Sequence, residues 1–194
     1  DYIYFSEMSY EEVYNTLYIS GNLYVYALNL SSLELSIFAG NGKYGFSYQT
    51  LPATSAPLSS PYGIAFNTIR NRVYFTQLNT IMYVDRNTGL LHHFAGIFRE
   101  DGPGYGGDNG PAVNGTFDKL VGIEADETTS MVYVADENNN RMRVISETTG
   151  IVTTFAGNGG TSNYNEFEIA STASIEAPNW IAWDPIRSVL YFLM

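Results

Sequence analysis

Residues 120–157 read LVGIEADETTSMVYVADENNNRMRVISETTGIVTTFAG. Apolar and polar residues alternate in four short segments, at 121–125, 131–135, 141–146 and 151–155. The segments are rich in Val, Ile, Tyr and Phe, and turn residues such as Thr149-Gly150 separate them. This pattern is typical of half-buried β-strands. The stretch therefore predicts four short antiparallel strands.

The same pattern occurs three times along the chain. Phe-Ala-Gly is found at 38–40, 94–96 and 155–157, with separations of 56 and 61 residues. A second series keeps the same step, with PYGIAFN at 61–67, LVGIEAD at 120–126 and PNWIAWD at 178–184. One such sheet cannot bury both of its faces, whereas copies stacked around an axis bury each other. We therefore predict an all-β fold, a β-propeller with blades of four antiparallel strands.

The repeats also predict how the chain is divided. Residues 1–194 are expected to form one domain, with copies at 61–96 and 120–157, partial copies at 1–40 and 178–194, and long loops at 41–60, 97–117 and 158–177. In the first copy, residues 1–5, 23–28 and 33–38 are predicted as strands that correspond to the second, third and fourth segments of the third copy. Residues 8–20 are then an insertion in that copy.

About three and a half blades follow from this division, whereas propellers typically have four to eight. The chain begins with Asp1, without a leader, and ends on apolar residues, so both ends are expected to be cut from something longer. We expect a segment of a larger propeller, or one completed by another chain. A four-bladed ring closed with an overlapping strand is the alternative.

The third copy resembles the repeats of NHL-repeat propellers. The resemblance is carried by VYVAD at 132–136, NRMRV at 140–144 and FAGNG at 155–159, with a glycine-rich spacer, GGDNGPA, at 106–112. In the second copy Thr76-Gln77 replaces Ala-Asp, and Ile81-Met82 is expected where Asn-Arg would be. The resemblance implies a propeller used mainly for macromolecular recognition, although a minority of relatives are enzymes.

Composition excludes several classes of protein. The 194 residues include 20 acidic and 9 basic side chains, a formal charge of −11, and no cysteine. The lack of cysteine excludes disulfides, cysteine zinc sites and a cysteine nucleophile. The negative charge would repel a phosphate backbone, so no nucleic-acid partner is expected, and RNA binding is the least favoured alternative. Apolar runs stop at six residues, well short of the ~18 that span a bilayer, which predicts no membrane insertion.

Two short motifs resemble ligand-binding loops. Residues 102–107 match G-x-G-x-x-G, but no helix pattern follows, which favours a tight inter-blade loop. Residues 136–140 carry oxygen side chains at alternate positions, and Glu147 is twelfth, as in a calcium loop. Arg141 stands where that loop requires glycine. The favoured interpretation is a structural turn in which Asp136, Asn140 and Arg141 bond locally, with calcium as the alternative.

No residue is assigned a catalytic, cofactor-binding or metal-binding role. His92 and His93 are the only histidines, and neighbours in a strand point to opposite faces, so they cannot hold one ion. No G-x-S-x-G nucleophile elbow occurs. We therefore predict a chain that is not an enzyme and needs no cofactor. The alternative is a fragment of a metal-dependent propeller enzyme of the lyase or lactonase type.

Tyrosine and two sequons point to a surface function. The sequons, at Asn29 and Asn114, are candidate glycosylation sites. Tyr10, Tyr14 and Tyr18 lie in the expected insertion and are a possible contact surface, with ordinary packing as the alternative. We predict a protein-interaction, adhesion or scaffold module, extracellular or at the cell surface, that binds a protein partner or associates with itself.

Overall fold

The computed structural model describes residues 5–100, 104–161 and 168–194, which form four successive antiparallel sheets. We call them blades 1 to 4. Blade 1 contains β1 (Met8–Glu11), β2 (Thr16–Gly21), β3 (Tyr24–Asn29) and β4 (Glu34–Ala39). Blade 2 contains β5 (Leu51–Pro52), β6 (Pro61–Asn67), β7 (Arg72–Gln77), β8 (Thr80–Asp85) and β9 (Leu90–Ala95). Blade 3 contains β10 (Gly110–Pro111), β11 (Leu120–Asp126), β12 (Met131–Asp136), β13 (Arg141–Ser146) and β14 (Ile151–Ala156). Blade 4 contains β15 (Ile181–Asp184) and β16 (Val189–Phe192).

Each blade is a meander of sequential strands. In blades 2 and 3 a short fifth strand from the preceding spacer, β5 or β10, pairs with the outer strand, β9 or β14. A single turn of 3-10 helix follows each of these short strands, at Ala53–Ser55 and Ala112–Asn114. A third 3-10 turn, Glu137–Asn139, joins β12 to β13. The spacers therefore extend the blades at their outer edge.

The blades are arranged radially. We call β1, β6, β11 and β15 the first strands of their blades, leaving the short strands β5 and β10 out of the count, and these first strands lie side by side. β6 contacts both β1 and β11, and β11 contacts β15. The buried clusters lie between the sheets: one between blades 1 and 2, one between blades 2 and 3, and one between blades 3 and 4. The core thus consists of stacked blade faces. The prediction of an all-β partial propeller is confirmed.

The glycine of Phe-Ala-Gly has the same conformation in all three copies. Gly40, Gly96 and Gly157 have φ of 103°, 90° and 91°. A Cβ on these residues would lie 2.2 to 2.4 Å from the carbonyl oxygen that precedes the third strand of the blade. Only glycine fits both the backbone angle and this contact. Its recurrence marks the end of each blade.

A second glycine sets the contact between blades. A Cβ on Gly63 of β6 would lie 2.0 Å from the Val121 carbonyl oxygen of blade 3. A Cβ on Gly122 of β11 would lie 2.3 Å from the Asn179 carbonyl oxygen, next to blade 4. The same carbonyl groups accept hydrogen bonds from the preceding blade, from Thr76 Oγ1 at 3.0 Å and from the Gly122 N–H at 3.2 Å. The backbones of neighbouring blades therefore touch at these points.

The prediction for the first half of the first copy was wrong, whereas the strands predicted at 23–28 and 33–38 are confirmed within one residue as β3 and β4. Residues 8–20 are not an insertion, because they form β1 and most of β2, the first two strands of a four-stranded blade. Blade 1 is thus a full four-stranded sheet rather than a partial copy. The strand predicted at residues 1–5 falls largely on residues 1–4, which lie outside the described residues.

The alignment of the second copy also shifts by two residues. Gln77 pairs with Thr80, as Asp136 pairs with Arg141, so Asn79-Thr80 rather than Ile81-Met82 occupies the Asn-Arg position. The β7–β8 turn is two residues shorter than the β12–β13 turn, which explains the offset.

Replacing Gly63 with alanine is expected to destabilise the protein by more than about 2 kcal/mol, because the added Cβ would overlap a backbone atom that cannot move alone. Gly150→Ala is the control: Gly150 has φ of 70° but no atom within 4 Å of its Cβ position, so only backbone strain of about 1 kcal/mol applies. Urea unfolding of both variants measures the difference. Equal losses would contradict the proposed blade contact.

Candidate functional site

A groove of about 540 Å³ runs along the inner edge of the blades. We call it the axial groove. It is lined by the first strands of all four blades and the residues just before them: Ser6, Glu7, Met8, Ser9, Tyr10, Ile64, Phe66, Ile123, Glu124, Trp180 and Ile181. First strands have no partner strand on their inner side in these sheets. Their backbone N–H groups on that side need other acceptors.

Side-chain oxygens supply these acceptors. Glu7 Oε2 accepts a hydrogen bond from the Ile64 N–H at 3.0 Å, and Ser9 Oγ accepts one from the Phe66 N–H at 3.2 Å. Glu124 accepts hydrogen bonds from the backbone N–H groups of Ala125 and Trp183. Glu7 therefore joins blade 1 to blade 2, and Glu124 joins blade 3 to blade 4.

The two carboxyl groups hold their protons unusually tightly. Burial raises the pKa of Glu7 to about 8, with the backbone hydrogen bond from Ile64 opposing the shift and the nearby Glu124 adding to it. Burial likewise raises the pKa of Glu124 to about 7, against its two backbone hydrogen bonds. Near neutral pH Glu7 is thus mostly protonated and Glu124 partly so, and the floor of the groove carries less negative charge than its sequence suggests.

The rim of the groove is aromatic and apolar. Met8, Tyr10 and Trp180 line it and are each more than 40% exposed. Tyr62 is also exposed, and its ring lies 6.4 Å from that of Trp180. Exposed large apolar side chains gathered around one groove are typical of a recognition surface.

The three tyrosines proposed as a contact surface do not share one environment. Tyr10 is exposed and lines the axial groove. Tyr14 is exposed in the β1–β2 turn, with the Arg86 guanidinium 4.4 Å from its ring centre. Tyr18 is 1% exposed, and burial raises its pKa to about 12, so its inclusion in a contact surface was wrong. It points inward because residue 18 lies in β2 and packs against Phe38 and Phe66.

The residues predicted to form a structural turn lie between β12 and β13. Asp136 Oδ1 accepts hydrogen bonds from the Asp118 N–H at 2.8 Å and from Asn139 Nδ2 at 2.9 Å. Asn140 has a left-handed φ of 51°, and its Oδ1 accepts the Ala177 N–H at 2.9 Å. Arg141 donates to the carbonyl oxygen of Asn139, and to that of Asn158, at 2.8 Å. The turn thus ties blade 3 to its flanking spacers.

Asp136 also pairs with a buried cation that the sequence did not single out. Arg143 Nη1 lies 3.1 Å from Asp136 Oδ2, and both side chains are fully buried. Arg143 Nη2 lies 2.8 Å from Asp108 Oδ1, on the glycine-rich spacer. The guanidinium therefore holds the spacer against the blade.

The calcium-loop alternative does not agree with the position of Glu147. Its carboxylate lies 2.9 Å from Arg70 Nε and accepts a hydrogen bond from the Tyr74 hydroxyl, both in blade 2. Asp136 lies at the opposite end of the β12–β13 pair. The two carboxylates cannot share one cation.

The remaining motifs take structural positions. Of the G-x-G-x-x-G stretch, residues 102 and 103 lie outside the described residues. The Tyr105 ring centre lies 3.7 Å from the Arg141 guanidinium carbon, and the helical segment that follows is the single 3-10 turn Ala112–Asn114. The His92 ring stacks on Tyr83, whereas His93 Nε2 lies 2.7 Å from the Gly96 carbonyl oxygen, and burial lowers the pKa of His93. Within the described ranges, no three His, Asp or Glu side chains are grouped to hold a metal ion.

The two sequon asparagines differ in setting. Asn114 is exposed at the end of the 3-10 turn Ala112–Asn114. Asn29 is half-buried, and its Oδ1 accepts the N–H groups of Ser31 and Ser32 at 2.9 Å. The side chain of Asn29 is thus engaged in its own turn.

Comparisons with known proteins agree with the fold. No protein-family model matches the chain. NHL repeat-containing protein 2 of Bos taurus and of Homo sapiens is 28% identical over 90 residues, 45% of this chain and 12% of the relative. A chain of the nidogen/laminin complex superimposes with a TM-score of 0.64 and 14% identity, over 97% of this chain and 56% of that one. An auxiliary nutrient binding protein from Bacteroides thetaiotaomicron gives 0.65 and 20%, over 93% and 43%. This chain is therefore similar to part of an NHL-repeat protein and shares its fold with part of larger propeller-like proteins.

No helix among the described residues is long and apolar enough to cross a membrane.

Sequence reasoning missed Glu7 and Glu124. Each accepts a hydrogen bond from a backbone group of the next blade, and a backbone donor has no side-chain signature in the sequence. The repeat alignment offered one signal: Glu7 takes the place of Gly63 and Gly122, where a charged residue is unexpected.

Replacing Glu7 with glutamine is expected to flatten the pH dependence of stability. The folded pKa of Glu7, about 8, lies above its unfolded value of 4.5, so folding takes up a proton between these values. The stability contributed by this proton is present below about pH 4.5 and is lost as pH rises through about 8.

Glu7→Gln stays neutral and should equal the wild type near pH 4. It should exceed the wild type by about 1–2 kcal/mol near pH 9, since a pKa unit corresponds to about 1.4 kcal/mol and solvent in the open groove screens part of the effect. Chemical denaturation from pH 4 to 9 measures this, with the exposed Glu12→Gln as control. A wild type that gains stability towards pH 9 would disprove the assignment.

Proposed function

We propose that this chain is a segment of an NHL-repeat propeller that binds protein partners and catalyses no reaction. The observation that carries the proposal is the aromatic and apolar rim of the axial groove, formed by Met8, Tyr10, Tyr62 and Trp180. Tyr and Trp are the residue types that contribute most to protein–protein binding. The partial similarity to NHL repeat-containing protein 2 supports the family.

The electrostatics indicate what kind of partner fits. The groove floor carries less negative charge at physiological pH than two ordinary carboxylates would, because burial raises the pKa values of Glu7 and Glu124. The chain as a whole carries a formal charge of −11. A partner with an apolar segment flanked by basic residues would match both features, the apolar part in the groove and the charges over the surrounding surface.

Several observations favour binding over catalysis. The described residues offer no triad of metal ligands, and both histidines are engaged in packing contacts. The perturbed carboxyl groups already accept backbone hydrogen bonds that join the blades. Their raised pKa values follow from burial between the blades, which these hydrogen bonds oppose.

We further propose a scaffold or adhesive role in an extracellular or cell-surface protein. The exposed sequon at Asn114 and the fold shared with a chain of the nidogen/laminin complex support this proposal. Association with itself or with a partner would use the axial groove.

Photo-crosslinking tests partner binding at the groove. A benzoylphenylalanine at position 180 or at position 8 should capture the same polypeptide in extracts of cells that make the protein, because both side chains line one groove. The same probe at Thr88, on an exposed outer turn, is the matched control. Mass spectrometry identifies the adducts. The absence of a shared protein adduct, or an equal yield at Thr88, would refute the groove as the binding site.

Asn114 should carry a glycan when the chain is secreted from a eukaryotic host. The residue is exposed and is followed by Gly115, which leaves room for the sugar and the transferase. Glycosidase treatment should shift the mass of the wild type but not of Asn114→Gln. Asn29→Gln, at the half-buried sequon, is the comparison. A secreted wild type without glycan at Asn114 would contradict this prediction.

A further inference from the structure

The faces of blades 1 and 2 that turn towards the next blade carry the same aromatic pair. In blade 1, on β2 and β4, the rings of Tyr18 and Phe38 have their centres 4.8 Å apart. In blade 2, on β7 and β9, the rings of Tyr74 and Phe94 lie 5.2 Å apart. The two pairs occupy equivalent positions in the repeat, so the two faces can be compared residue by residue.

The faces differ in the residues beside this pair. In blade 2, Tyr83 and His92 are cross-strand partners, and their rings stack with centres 4.9 Å apart and planes at 12°. The Tyr83 ring also lies against the aromatic pair of its own blade, at 5.5 and 6.1 Å between ring centres. In blade 1 the equivalent cross-strand partners are Ala27 and Ser36. Blade 1 therefore lacks two rings that blade 2 has.

The space beside the aromatic pair of blade 1 is open. Two adjoining cavities of about 260 and 340 Å³ share Ser36, Phe38 and Arg86, and Tyr18 and Ala27 also line the first of them. We call this space the inter-blade cleft. Its walls belong to blades 1 and 2, which follow each other directly in the chain, and it shares no lining residue with the axial groove. A space of this size holds a small ring-shaped ligand.

A cation with few hydrogen bonds lies in the cleft. Arg86 follows β8 and extends from blade 2 into a pocket of blade 1, where its guanidinium carbon lies 4.4 Å from the Tyr14 ring centre. Arg86 Nη1 donates to Asn71 Oδ1 at 3.2 Å and lies 3.7 Å from Glu11 Oε2, which is beyond hydrogen-bond distance. Among the described residues the guanidinium makes no other hydrogen bond, although it has five N–H donors. Donors therefore remain for an anion that enters the cleft.

Blade 2 shows which groups complete such an arrangement. Glu147, which follows β13, extends into the equivalent pocket of blade 2 and lies 2.9 Å from Arg70 Nε and 3.8 Å from Arg72 Nη1. The Arg72 guanidinium in turn covers the Tyr83 ring at 4.3 Å. Blade 2 thus combines an aromatic ring, a guanidinium and a carboxylate that hydrogen-bonds it. In blade 1 the guanidinium is present, whereas the ring is missing and the carboxylate of Glu11 is too distant to hydrogen-bond it.

We propose that the inter-blade cleft binds a small aromatic carboxylate, with its ring beside Tyr18 and Phe38 and its acid group on Arg86. Aromatic packing and a charge-assisted hydrogen bond would then act on the two ends of one molecule. Glu34 also lines the cleft and would repel a second acid group, which favours a monocarboxylate. The proposal goes beyond protein binding at the axial groove, because it assigns a separate small-molecule site.

Phenylacetate is the probe for this site. It should bind the 194-residue chain with a dissociation constant of about 1 mM or tighter, as expected for so small a ligand. Phenylacetamide, which has the same shape without the charge, should bind at least about tenfold more weakly, because the Arg86 guanidinium then meets a neutral group. Nuclear magnetic resonance of isotope-labelled alanine methyl groups measures both. The ligand ring should shift the Ala27 signal, which lines the cleft, but not that of Ala182 in blade 4.

Two variants test the ring position and the cation separately. Ala27→Tyr with Ser36→His installs the ring pair of blade 2 and should abolish binding, whereas Ser32→Tyr adds a ring at an exposed turn and should not. Arg86→Gln should bind acid and amide equally. Circular dichroism checks that each variant is folded, and the Ala27 signal of the unaltered chain decides if a variant is not.

Four results would overturn the proposal. They are no binding of phenylacetate, equal binding of acid and amide by the unaltered chain, a bound ligand that leaves the Ala27 signal in place, and full binding by the folded Ala27→Tyr, Ser36→His variant. None of them concerns the axial groove, so the proposed protein-binding function is tested independently by crosslinking.

Discussion

The contact between the first strand of one blade and the backbone of the next is the constraint on which this structure depends. The carbonyl groups of Tyr62, Val121 and Asn179 occupy equivalent positions, and each accepts a hydrogen bond from the preceding blade, from Ser20, Thr76 and Gly122, respectively. Backbones come so close at Gly63 and Gly122 that no side chain fits. This spacing brings the faces of neighbouring blades close enough to pack, and the buried clusters lie between these faces.

The third copy could be predicted from sequence because its glycines and its alternating apolar residues occur together. Its four strands lie within one residue of the predicted bounds. The first half of the first copy could not, because Glu7 replaces the glycine that opens the first strand and the tyrosines of 8–20 resemble a surface segment. The side chain of Glu7 instead accepts the Ile64 N–H of the next blade. A backbone N–H at the edge of a sheet that donates to a carboxyl group leaves no recurring pattern in the sequence of the repeats.

The candidate site was harder to predict than the fold for a related reason. The groove is formed where four separate first strands meet, and its hydrogen bonds join residues 57 apart, such as Glu7 with Ile64 and Ser9 with Phe66. Sequence reveals which residues recur at each position but not which partner lies across the axis. Burial then changes the chemistry of Glu7 and Glu124, so that composition alone overstates the charge of the groove.

Charge between blades contributes to their order more than to their stability. Desolvation offsets much of the attraction in a buried ion pair, so Arg86 with Glu11 and Glu147 with Arg70 add modest free energy. If blade 3 followed blade 1 directly, Glu147 would lie beside Glu11, and these like charges would be strongly unfavourable. Sheets that are otherwise similar in shape are thereby kept in sequence order. Each of these two pockets favours an inserted side chain of the opposite charge, whichever strand carries that side chain.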